Sequence, residues 1–300
     1  MADASVAVVV VTYNAMPYLE QCLQSVEGYQ MVVVDHGSTD GTLELVRERF
    51  HAAVLVEQEN RGLAAGWNTG MRHARPDARY FLILNADAWM VGDSVERLAA
   101  FADEHLRAAY VGPRLRNPDG TLQRSVRGFP TLWRLATEYL FLRKLAPRSQ
   151  ALNAFYAGGF DHESVREAEF LMGSCMLVRR EAVERVGPLD ESFFLFSEET
   201  DWCYRFRAAG WQVLFYPGAE AVHVGGAAHG GRFFREQVGG HLRFLAKHRG
   251  VREAERARLL LRAALGARAV LFRGERGRMY GDAARWLGSG SVAALLGAPR

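Results

Sequence analysis

The feature that most constrains this chain is a regular alternation of short apolar runs with segments of helical periodicity before residue 85. The apolar runs are rich in valine and leucine, and they occupy residues 6–12, 31–34, 53–56 and 80–84. Short buried strands that alternate with helices are typical of a parallel sheet covered by helices on both faces. The sequence therefore predicts a doubly wound, mostly parallel α/β fold.

A polar motif follows each of the four predicted strands. The motifs are Thr12-Tyr13-Asn14, Asp35-His36-Gly37-Ser38, Asn60-Arg61-Gly62 and Asn85-Ala86-Asp87. Each motif taken alone fits a helix cap or a turn, because these residue types favour both. The carboxyl ends of parallel strands lie at one edge of the sheet, where ligands bind in α/β folds. Together the motifs predict a polar crevice suited to a nucleotide.

The pattern changes after residue 110, where strands and helices no longer alternate regularly. Asn117-Pro118-Asp119-Gly120 predicts a turn between two short strands. Further elements are predicted as a helix at 131–145, a strand at 170–178, helices at 180–186 and 198–209, and strands at 213–216 and 221–224. Everything from residue 232 onward has helical periodicity. We therefore expect a main α/β domain at residues 1–230 and a helical C-terminal extension at residues 231–300.

Composition and missing motifs exclude several classes of protein. Apolar residues make up 49% and charged residues 24%, as in ordinary globular proteins. A net charge of +3 gives no reason to expect a nucleic-acid partner. The sequence has no P-loop, no dinucleotide-binding glycine motif after its first strand, no nucleophile elbow and no HExxH motif. These absences argue against P-loop enzymes, dinucleotide-dependent oxidoreductases, α/β hydrolases and HExxH metalloproteases.

The cysteines and the termini bear on the cellular compartment. Three cysteines without a C-x-x-C pair favour a reducing compartment. Neither a basic signal-peptide region nor an apolar stretch of membrane-spanning length is visible. We therefore expect a cytoplasmic protein.

Several ordered stretches of the sequence resemble family 2 glycosyltransferases, particularly the rhamnosyltransferase-like branch. They are VVVVTYNAMPYLEQCLQSV, VVVDHGSTDGTLE, NRGLAAGWNTGMRHA, FLILNADA and GSCMLVRREAVERVGPLDESFFLFSEETDWCYRFRAAG. The resemblance extends over about residues 5–230. It implies a GT-A fold, a nucleotide-sugar donor, a divalent metal ion and inversion at the anomeric carbon.

The resemblance assigns most of the polar motifs to the donor nucleotide. Asp35 falls where a carboxylate accepts a hydrogen bond from the pyrimidine N3–H. Asn60 and Gly62 match a loop that lies against the donor, and Asn68 matches a polar position on the following helix. The other residues implied to bind the nucleotide are Thr12, Tyr13, Asn14, Gly37, Asn85, Ala86 and Asp87.

The Asn85-Ala86-Asp87 motif matches the DXD-type motif of the family, with asparagine at the first acidic position. The resemblance implies that Asp87 binds Mn²⁺ or Mg²⁺ together with the donor diphosphate, since hard cations prefer oxygen ligands. His223, followed by Val224-Gly225-Gly226, matches a histidine that completes the metal shell in several relatives. A lone histidine also fits a structural role, and an imidazole ligand suits manganese at least as well as magnesium.

Two interpretations of the acidic segment Ser197-Glu198-Glu199-Thr200-Asp201 follow from its residue types. It fits a helix capped by Ser197, with acids in its first turn and an Asp201–Arg205 pair at i, i+4. The family pattern instead implies a catalytic cluster. In that cluster Glu199 occupies the general-base position, which is usually aspartate, beside Glu198 and Asp201.

Another group of residues is implied to border the acceptor or the donor sugar. Gly173 would let the backbone approach the sugar closely. Asp190, Glu191 and Trp202 match stretches before and within the acidic helix. A turn with packed aromatic residues explains Asp190 and Glu191 equally well.

Residues 251–286 carry nine arginines and four acidic residues, interleaved with leucines and other apolar residues. This composition fits an interfacial helix on anionic lipid, which implies peripheral association with the cytoplasmic face of the inner membrane. A helical cap or a subunit contact in a homo-oligomer fits the composition equally well.

The resemblance implies an inverting, metal-dependent glycosyltransferase that moves L-rhamnose from dTDP-L-rhamnose to a cell-envelope glycan or a polyprenyl-diphosphate-linked acceptor. A UDP-sugar donor, carrying a hexose or a galactofuranose, is the alternative within the family, because Asp35 does not separate thymine from uracil. A nucleotide-sugar-binding protein without catalysis is supported only by Asn85 and Glu199. A nucleotidyltransferase needs a basic, glycine-rich loop after its first strand, and residues 12–19 contain neither glycine nor a basic residue.

Overall fold

The computed structural model describes residues 5–225 and 233–297 of the chain. These residues form two compact units. The first consists of residues 5–126, 161–194 and 198–225, and the second of residues 127–160, 195–197 and 233–297. Gly226, which belongs to the predicted His223 motif, lies outside the described residues.

The first unit contains a ten-stranded sheet, and the remaining elements are mostly helices. The strands of the chain are β1 (Val6–Thr12), β2 (Gln30–Asp35), β3 (Val54–Glu57), β4 (Tyr80–Asn85), β5 (Ala88–Met90), β6 (Ala108–Arg116), β7 (Leu122–Gln123), β8 (Val126–Arg127), β9 (Arg166–Glu167), β10 (Phe170–Leu171), β11 (Cys175–Arg179) and β12 (Gln212–His223). The α-helices are α1 (Met16–Gln24), α2 (Thr42–Arg49), α3 (Leu63–His73), α4 (Ser94–Glu104), α5 (Leu132–Tyr139), α6 (Arg180–Val186), α7 (Glu198–Ala208), α8 (Phe234–His248), α9 (Val251–Leu271), α10 (Gly274–Gly288) and α11 (Val292–Gly297).

The strands cross the sheet in the order β3-β2-β1-β4-β11-β6-β12-β5, with β7 paired to β6 and β9 to β12. β1 pairs in parallel with β2 and with β4, β2 pairs in parallel with β3, and β6 with β12. β11 is antiparallel to both of its neighbours, β4 and β6. Thr12 lies opposite Asp35, and Val11 lies opposite Asn85. The predicted doubly wound, mostly parallel fold is confirmed, and its register brings the first, second and fourth polar motifs to one edge.

The two faces of β1 are covered by different helices. On one face, Val8 belongs to the same core cluster as Leu19 and Leu23 of α1. Val9 points to the opposite face, because successive side chains of a strand alternate. There it lies against Gly70 of α3, where an added Cβ would come within 2.2 Å of Val9 Cγ1. Glycine at this position therefore allows α3 to pack directly on the sheet.

The second unit is helical, and one basic residue stabilises it from within. α9 buries Leu261 and Leu265, which are spaced i, i+4 on one helical face. Arg268 on the same helix is also buried, and it donates hydrogen bonds to the carbonyl oxygens of Tyr139 (2.8 Å) and Glu138 (2.7 Å). These carbonyls lie at the C-terminal end of α5, where a positive charge is favourable. Among residues 5–225 and 233–297, no helix is long and apolar enough to span a membrane.

Some predicted elements differ from the structure for local reasons. The predicted helix at 131–145 ends at Tyr139, because Phe141 adopts a left-handed φ of 60° and a short 3-10 turn follows. The predicted strand at 170–178 is interrupted at Gly173 and Ser174, so it forms the two strands β10 and β11. The turn at Asn117 is present as predicted, and it joins β6 to β7.

The C-terminal part of the sheet and several helices were not fully anticipated. The strands predicted at 213–216 and 221–224 form one strand, β12, whose register shifts between Tyr216 and Glu220. A bulge of this kind accommodates Pro217 and Gly218, which weaken regular strands, without ending the strand. α4 and β5 were not predicted, whereas α10 and α11 lie in the region from residue 232 onward that has helical periodicity.

Candidate active site

The loop after β2 is organised by Asp35. Its side chain is fully buried, and its carboxylate accepts hydrogen bonds from the N–H groups of Gly37 (2.9 Å) and Ser38 (2.8 Å) and from Ser38 Oγ (2.5 Å). Gly37 has a φ of +84°, a conformation that favours glycine. The carboxylate expected to meet a pyrimidine N3–H therefore holds its own loop in this structure and is not open to solvent.

The loops after β1 and β2 are joined by hydrogen bonds through Asn14. The Asn14 N–H donates to Ser38 Oγ (2.8 Å), and Asn14 Oδ1 accepts from the Thr39 N–H (2.8 Å). Beside them, the ring of Tyr13 is 53% exposed, whereas the hydroxyl of Thr12 is buried. The two loops thus form one connected surface with an exposed aromatic ring, which is a geometry suited to stacking a base.

Gly62 brings the loop after β3 close to another part of the chain. Asn60 Oδ1 accepts from the Gly62 N–H (3.1 Å), and the next residue, Leu63, donates to the carbonyl of Phe194 (2.7 Å). Gly62 has a φ of +97°, and an added Cβ would lie 2.5 Å from the Phe194 carbonyl oxygen. Only glycine fits this close approach, so the loop and the segment before the acidic helix are held together.

Asn68, which the resemblance implies to be near the nucleotide, is hydrogen-bonded within the protein. It is buried in α3, and both ends of its amide bond the backbone of Leu189, at 2.9 Å through Nδ2 and 3.0 Å through Oδ1. Nδ2 also donates to Glu191 Oε1 (3.1 Å). Asn68 therefore clamps the segment that precedes α7, and its amide is not available to a nucleotide as it stands.

Asp87 and His223 lie together at the ends of β4 and β12. Asp87 Oδ1 is 3.5 Å from His223 Nε2, and Asp87 Oδ2 accepts from the Gly225 N–H (3.1 Å). The other ring nitrogen of His223, Nδ1, is 2.7 Å from Gln123 Oε1. A carboxylate oxygen and an imidazole nitrogen that face each other are suitable ligands for one divalent cation. Among the residues that the structure describes, no group of three or more His, Cys, Asp or Glu side chains that could hold a metal ion is found.

Gln123 was missed by the sequence reasoning. It lies in β7, a strand of two residues that follows the predicted Asn117 turn. A glutamine carries no specific signal for a metal site, and β7 is too short for a periodic pattern. The only sequence signal was the turn, which returns the chain to the edge of β6.

The acidic helix α7 brings Glu199 to the turn between β10 and β11. An added Cβ on Gly173 would lie 3.2 Å from both Cβ and Cγ of Glu199 and 3.3 Å from the Trp67 ring. The next residue in that turn, Ser174, accepts a hydrogen bond at its carbonyl from the Asn85 N–H (3.0 Å). The Gly173-Ser174 turn therefore contacts both the implied general base and the implied metal motif.

Glu198 differs from Glu199 in its surroundings. Its side chain is only 3% exposed, and its Oε2 has no hydrogen-bond partner among the described residues. Burial, and secondarily the neighbouring Glu199, raise the pKa of Glu198 well above the ordinary glutamate value. A carboxyl group with a raised pKa keeps its proton to a higher pH than an ordinary glutamate does, so Glu198 is poorly suited to accept a proton.

Asp201 and Trp202, implied to be catalytic and acceptor-binding, are bonded to neighbouring segments of the protein. Asp201 is fully buried and pairs with Arg205 at 2.8 Å, as the i, i+4 spacing predicts. Arg205 also donates to the carbonyl of Pro188 (2.8 Å). The Trp202 ring is buried, and its Nε1 donates to the carbonyl of Gly187 (2.9 Å). Both side chains attach α7 to the preceding segment and do not face solvent.

Asp190 and Glu191 lie in the turn that the residue types allowed. Asp190 Oδ1 accepts from the Ser192 N–H (2.9 Å), which is an Asx-type turn. Glu191 is exposed, and its carboxylate lies between Asn68 and Arg61, 3.9 Å from the Arg61 guanidinium.

Ser197, which the residue types predict as the N-cap of the acidic helix, has a left-handed φ of 71°, unlike the extended conformation of most N-cap residues.

Unpaired buried polar atoms accumulate at this edge of the first unit. Among the described residues, buried side-chain atoms without a hydrogen-bond partner include Thr12 Oγ1, Trp67 Nε1, Asn85 Oδ1, Ser174 Oγ and Glu198 Oε2. Buried polar atoms are normally hydrogen-bonded, because leaving one unpaired costs about 1–3 kcal/mol. Their position at the ends of β1 and β4 and beside the Gly173 turn fits a site that a polar ligand completes.

A match to known families covers most of the first unit. Residues 7–187 match Glycosyl transferase family 2, and residues 150–250 match Glycosyl transferase family group 2. Together with the sheet order and the polar loops at its edge, this match defines a glycosyltransferase of the GT-A fold. The chain belongs to glycosyltransferase family 2.

Relatives of known name support the family assignment. The chain is 31% identical over 231 residues to the N-acetylglucosaminyl-diphospho-decaprenol L-rhamnosyltransferase of Mycobacterium tuberculosis, which covers 72% of this chain and 75% of that protein. It is 23% identical over 233 residues to the low-salt glycan biosynthesis hexosyltransferase Agl10 of Haloferax volcanii, covering 72% of this chain and 66% of that protein.

Solved structures share the fold at low sequence identity. TarS of S. aureus superposes with a TM-score of 0.51 at 15% identity, covering 90% of this chain and 44% of that chain. GalNAc-T7, solved with UDP, GalNAc and Mn²⁺, superposes with a TM-score of 0.52 at 16% identity, covering 73% of this chain and 43% of that chain. This chain therefore corresponds to less than half of either solved chain, and the likeness is one of fold.

Proposed function

We propose that this glycosyltransferase transfers L-rhamnose from dTDP-L-rhamnose to a cell-envelope glycan or a polyprenyl-diphosphate-linked acceptor, with inversion at the anomeric carbon. The observation that carries the proposal is the 31% identity over 72% of the chain to a protein named as a rhamnosyltransferase of a diphospho-decaprenol acceptor. The donor-side loops around Asp35 and Asn14 support a nucleotide at the same sheet edge.

The proposed metal ligands of the chain are Asp87 and His223. Their facing atoms are 3.5 Å apart, and both side chains are oriented by further hydrogen bonds, to Gly225 and Gln123. Two protein ligands leave room for the diphosphate oxygens of the donor. A bound Mn²⁺ or Mg²⁺ would neutralise charge on the departing nucleoside diphosphate.

The proposed general base is Glu199. It lies against the Gly173-Ser174 turn, and the Ser174 carbonyl accepts a hydrogen bond from the Asn85 N–H of the metal motif. The same turn therefore contacts both the proposed base and the site of the leaving group. Glu198, by contrast, has a pKa raised by its burial, which makes it less suited to accept a proton. In a single in-line displacement Glu199 would remove the proton of the acceptor hydroxyl as that oxygen attacks the anomeric carbon.

The test is turnover of a panel of nucleotide sugars with and without a polyprenyl-diphosphate-linked glycan acceptor. We expect dTDP-L-rhamnose to release dTDP in proportion to acceptor, and inverted product linkage by NMR. Faster turnover of a UDP-hexose or a UDP-galactofuranose would move the donor assignment to the alternative. Binding of a nucleotide sugar without turnover under any condition would instead support a binding protein.

We also propose that the second unit contacts an anionic membrane surface. The contact would involve the end of α9 and not residues 251–286 as a whole. Leu261 and Leu265 of α9 are buried, so that face of the helix is already used by packing. The end of α9 remains exposed: Val270 is 85% and Leu271 74% exposed. Arg273, two residues after Leu271, is also exposed, and a basic residue near exposed apolar residues suits anionic lipid.

A further inference from the structure

Gln123 makes three hydrogen bonds that leave only one orientation for its amide. Its Nε2 donates to Asn117 Oδ1 (2.8 Å) and to the backbone carbonyl of His223 (3.0 Å). A carbonyl oxygen only accepts, so the NH₂ end must point toward these two groups. Gln123 Oε1 consequently faces Nδ1 of the His223 ring, at 2.7 Å.

A carboxylate at the far end of the same series of hydrogen bonds determines their direction. Asn117 Nδ2 donates to Thr121 Oγ1 (2.9 Å), and the Thr121 hydroxyl donates to Asp119 Oδ1 (2.6 Å). Hydrogen bonds from the Thr121 side chain and backbone lower the pKa of Asp119, so it is ionised at neutral pH and only accepts. Each residue in this series therefore donates a hydrogen bond to the next, from His223 through Gln123, Asn117 and Thr121 to Asp119. The direction of one of these bonds cannot be reversed unless the others reverse as well.

This direction has a consequence for the imidazole. Because Gln123 Oε1 is an acceptor, His223 Nδ1 must carry the proton that lies between them. In the neutral ring Nε2 then has a lone pair, and it faces Asp87 Oδ1 at 3.5 Å. Asp87 is oriented on its other oxygen by the Gly225 N–H. Two lone pairs that face each other at this distance repel, and a cation bound by both atoms would remove the repulsion.

We infer that Gln123 is a positioning residue: it holds His223 in the Nδ1–H tautomer and so presents Nε2, together with Asp87, to a divalent cation. The inference rests on the metal requirement under the proposed function. Hydrogen-bond partners of metal-ligating histidines act in this way, and their loss typically weakens metal binding about 10–100-fold. Gln123 would act through His223 and would not touch the substrate.

The tautomer is measured directly by ¹⁵N NMR of the imidazole in the metal-free protein, about two units above the ordinary imidazole pKa. The signal of His223 is assigned by its disappearance in His223→Asn. We expect Nδ1–H in the wild type, and a shift toward Nε2–H in Gln123→Met, which lacks the acceptor. Gln123→Glu keeps an acceptor toward Nδ1–H and should keep the wild-type tautomer.

Metal affinity gives the second readout, from Mn²⁺ titration by electron paramagnetic resonance with a nucleoside diphosphate present. We expect Gln123→Met to weaken Mn²⁺ binding about 10–100-fold. The matched control is Gln212→Met, because Gln212 is bonded to Glu167 in another part of the sheet and should leave affinity unchanged.

The outcomes separate this inference from the function on which it rests. Nε2–H in the wild type overturns the inference without any variant, even if Gln123→Met fails to fold. An unchanged tautomer and an unchanged Mn²⁺ affinity in Gln123→Met overturn it as well. Nδ1–H in a wild type that binds no Mn²⁺ with nucleotide overturns the proposed metal site and the cation part of the inference, while the tautomer shift in Gln123→Met still tests the effect of Gln123 on the ring.

Discussion

Gly173 lies so close to Glu199 that a methyl group on the glycine would come 3.2 Å from Cβ and Cγ of the glutamate. The absence of a side chain at Gly173 thus allows the proposed general base to lie against the β10–β11 turn. Gly173→Ala should displace Glu199 by a few tenths of an ångström and lower kcat about tenfold, less than the roughly 10²-fold cost of a 1 Å misplacement. Steady-state kinetics with donor and acceptor would measure the change.

The control for this substitution is Gly266→Ala on α9. Nothing lies within 4 Å of the added Cβ at Gly266, so the change is tolerated there. Alanine in a helix interior is favoured over glycine by about 0.5–1 kcal/mol, so this variant should be slightly more stable and equally active. Equal activity of Gly173→Ala and the wild type would show that the position of Glu199 does not matter for catalysis.

Glu199→Gln should abolish most turnover while leaving donor binding intact. Glutamine keeps the size of the side chain but cannot accept the proton of the acceptor hydroxyl. Loss of a general base typically costs about 10²–10⁴-fold in rate. We expect kcat to fall by this factor, with an unchanged donor Kd by calorimetry. Normal turnover in Glu199→Gln together with loss in Glu198→Gln would transfer the role to Glu198.

The raised pKa of Glu198 predicts a pH-dependent stability difference between the wild type and Glu198→Gln. A carboxyl whose pKa is higher in the folded than in the unfolded state binds more protons when folded, so stability is lost as pH rises. The loss begins near the ordinary glutamate value of about 4.3 and continues upward to the raised value. Relative to the wild type, Glu198→Gln should therefore gain Tm as pH rises above about 4.3. A Tm difference that does not vary with pH would contradict the assignment.

Asp87→Ala should remove the metal dependence of nucleotide binding. Its carboxylate is the proposed ligand facing His223, and hard divalent cations depend on such oxygens. Calorimetry with dTDP and Mn²⁺ should show loss of the metal-dependent signal, and His223→Ala should weaken it less. The control is Asp93→Ala, an exposed aspartate that pairs with Arg97. The same affinity in Asp87→Ala, and in the wild type with chelator, would refute the metal assignment.

Leu271→Glu should release the protein from anionic membranes. Leu271 is 74% exposed at the end of α9, and burying a leucine is worth about 1.5–3 kcal/mol, so its loss should weaken binding about tenfold or more. Flotation with phosphatidylglycerol vesicles at low and high salt measures the bound fraction. Leu106→Glu is the control, since Leu106 is 72% exposed in the first unit. If the unmodified protein does not float at low salt, a subunit contact explains the exposed residues better.

The central sheet could be predicted well because its signals are local. β1 and β4 are continuous apolar runs, and residues such as Leu19 and Leu23 repeat at helical spacing on one buried face. The bulge in β12 was not predicted, because Pro217 and Gly218 normally end a strand and only pairing with β6 carries the strand past them. Phe141 likewise gives no local sign of the left-handed backbone that ends α5.

The candidate site was predictable in its motifs and in one contact between residues close in sequence, but not in the contacts between distant residues. The i, i+4 spacing indicated that Asp201 pairs with Arg205, and the structure has this ion pair. Nothing near Asn68 in the chain indicates that its amide bonds Leu189, because the two residues meet only through folding. For the same reason the family motif alone did not distinguish the buried Trp202 from residues that face the site.

By itself, the sequence determined the doubly wound sheet, the polar loops at its edge and the family to which the chain belongs, because periodicity and ordered motifs are properties of neighbouring residues. The tertiary structure alone decided that His223 faces Asp87, that Gln123 Oε1 faces His223 Nδ1, and that Glu198 is buried while Glu199 lies against the Gly173 turn. Those outcomes depend on burial and on the direction of hydrogen bonds between distant segments, and both exist only once the chain is folded.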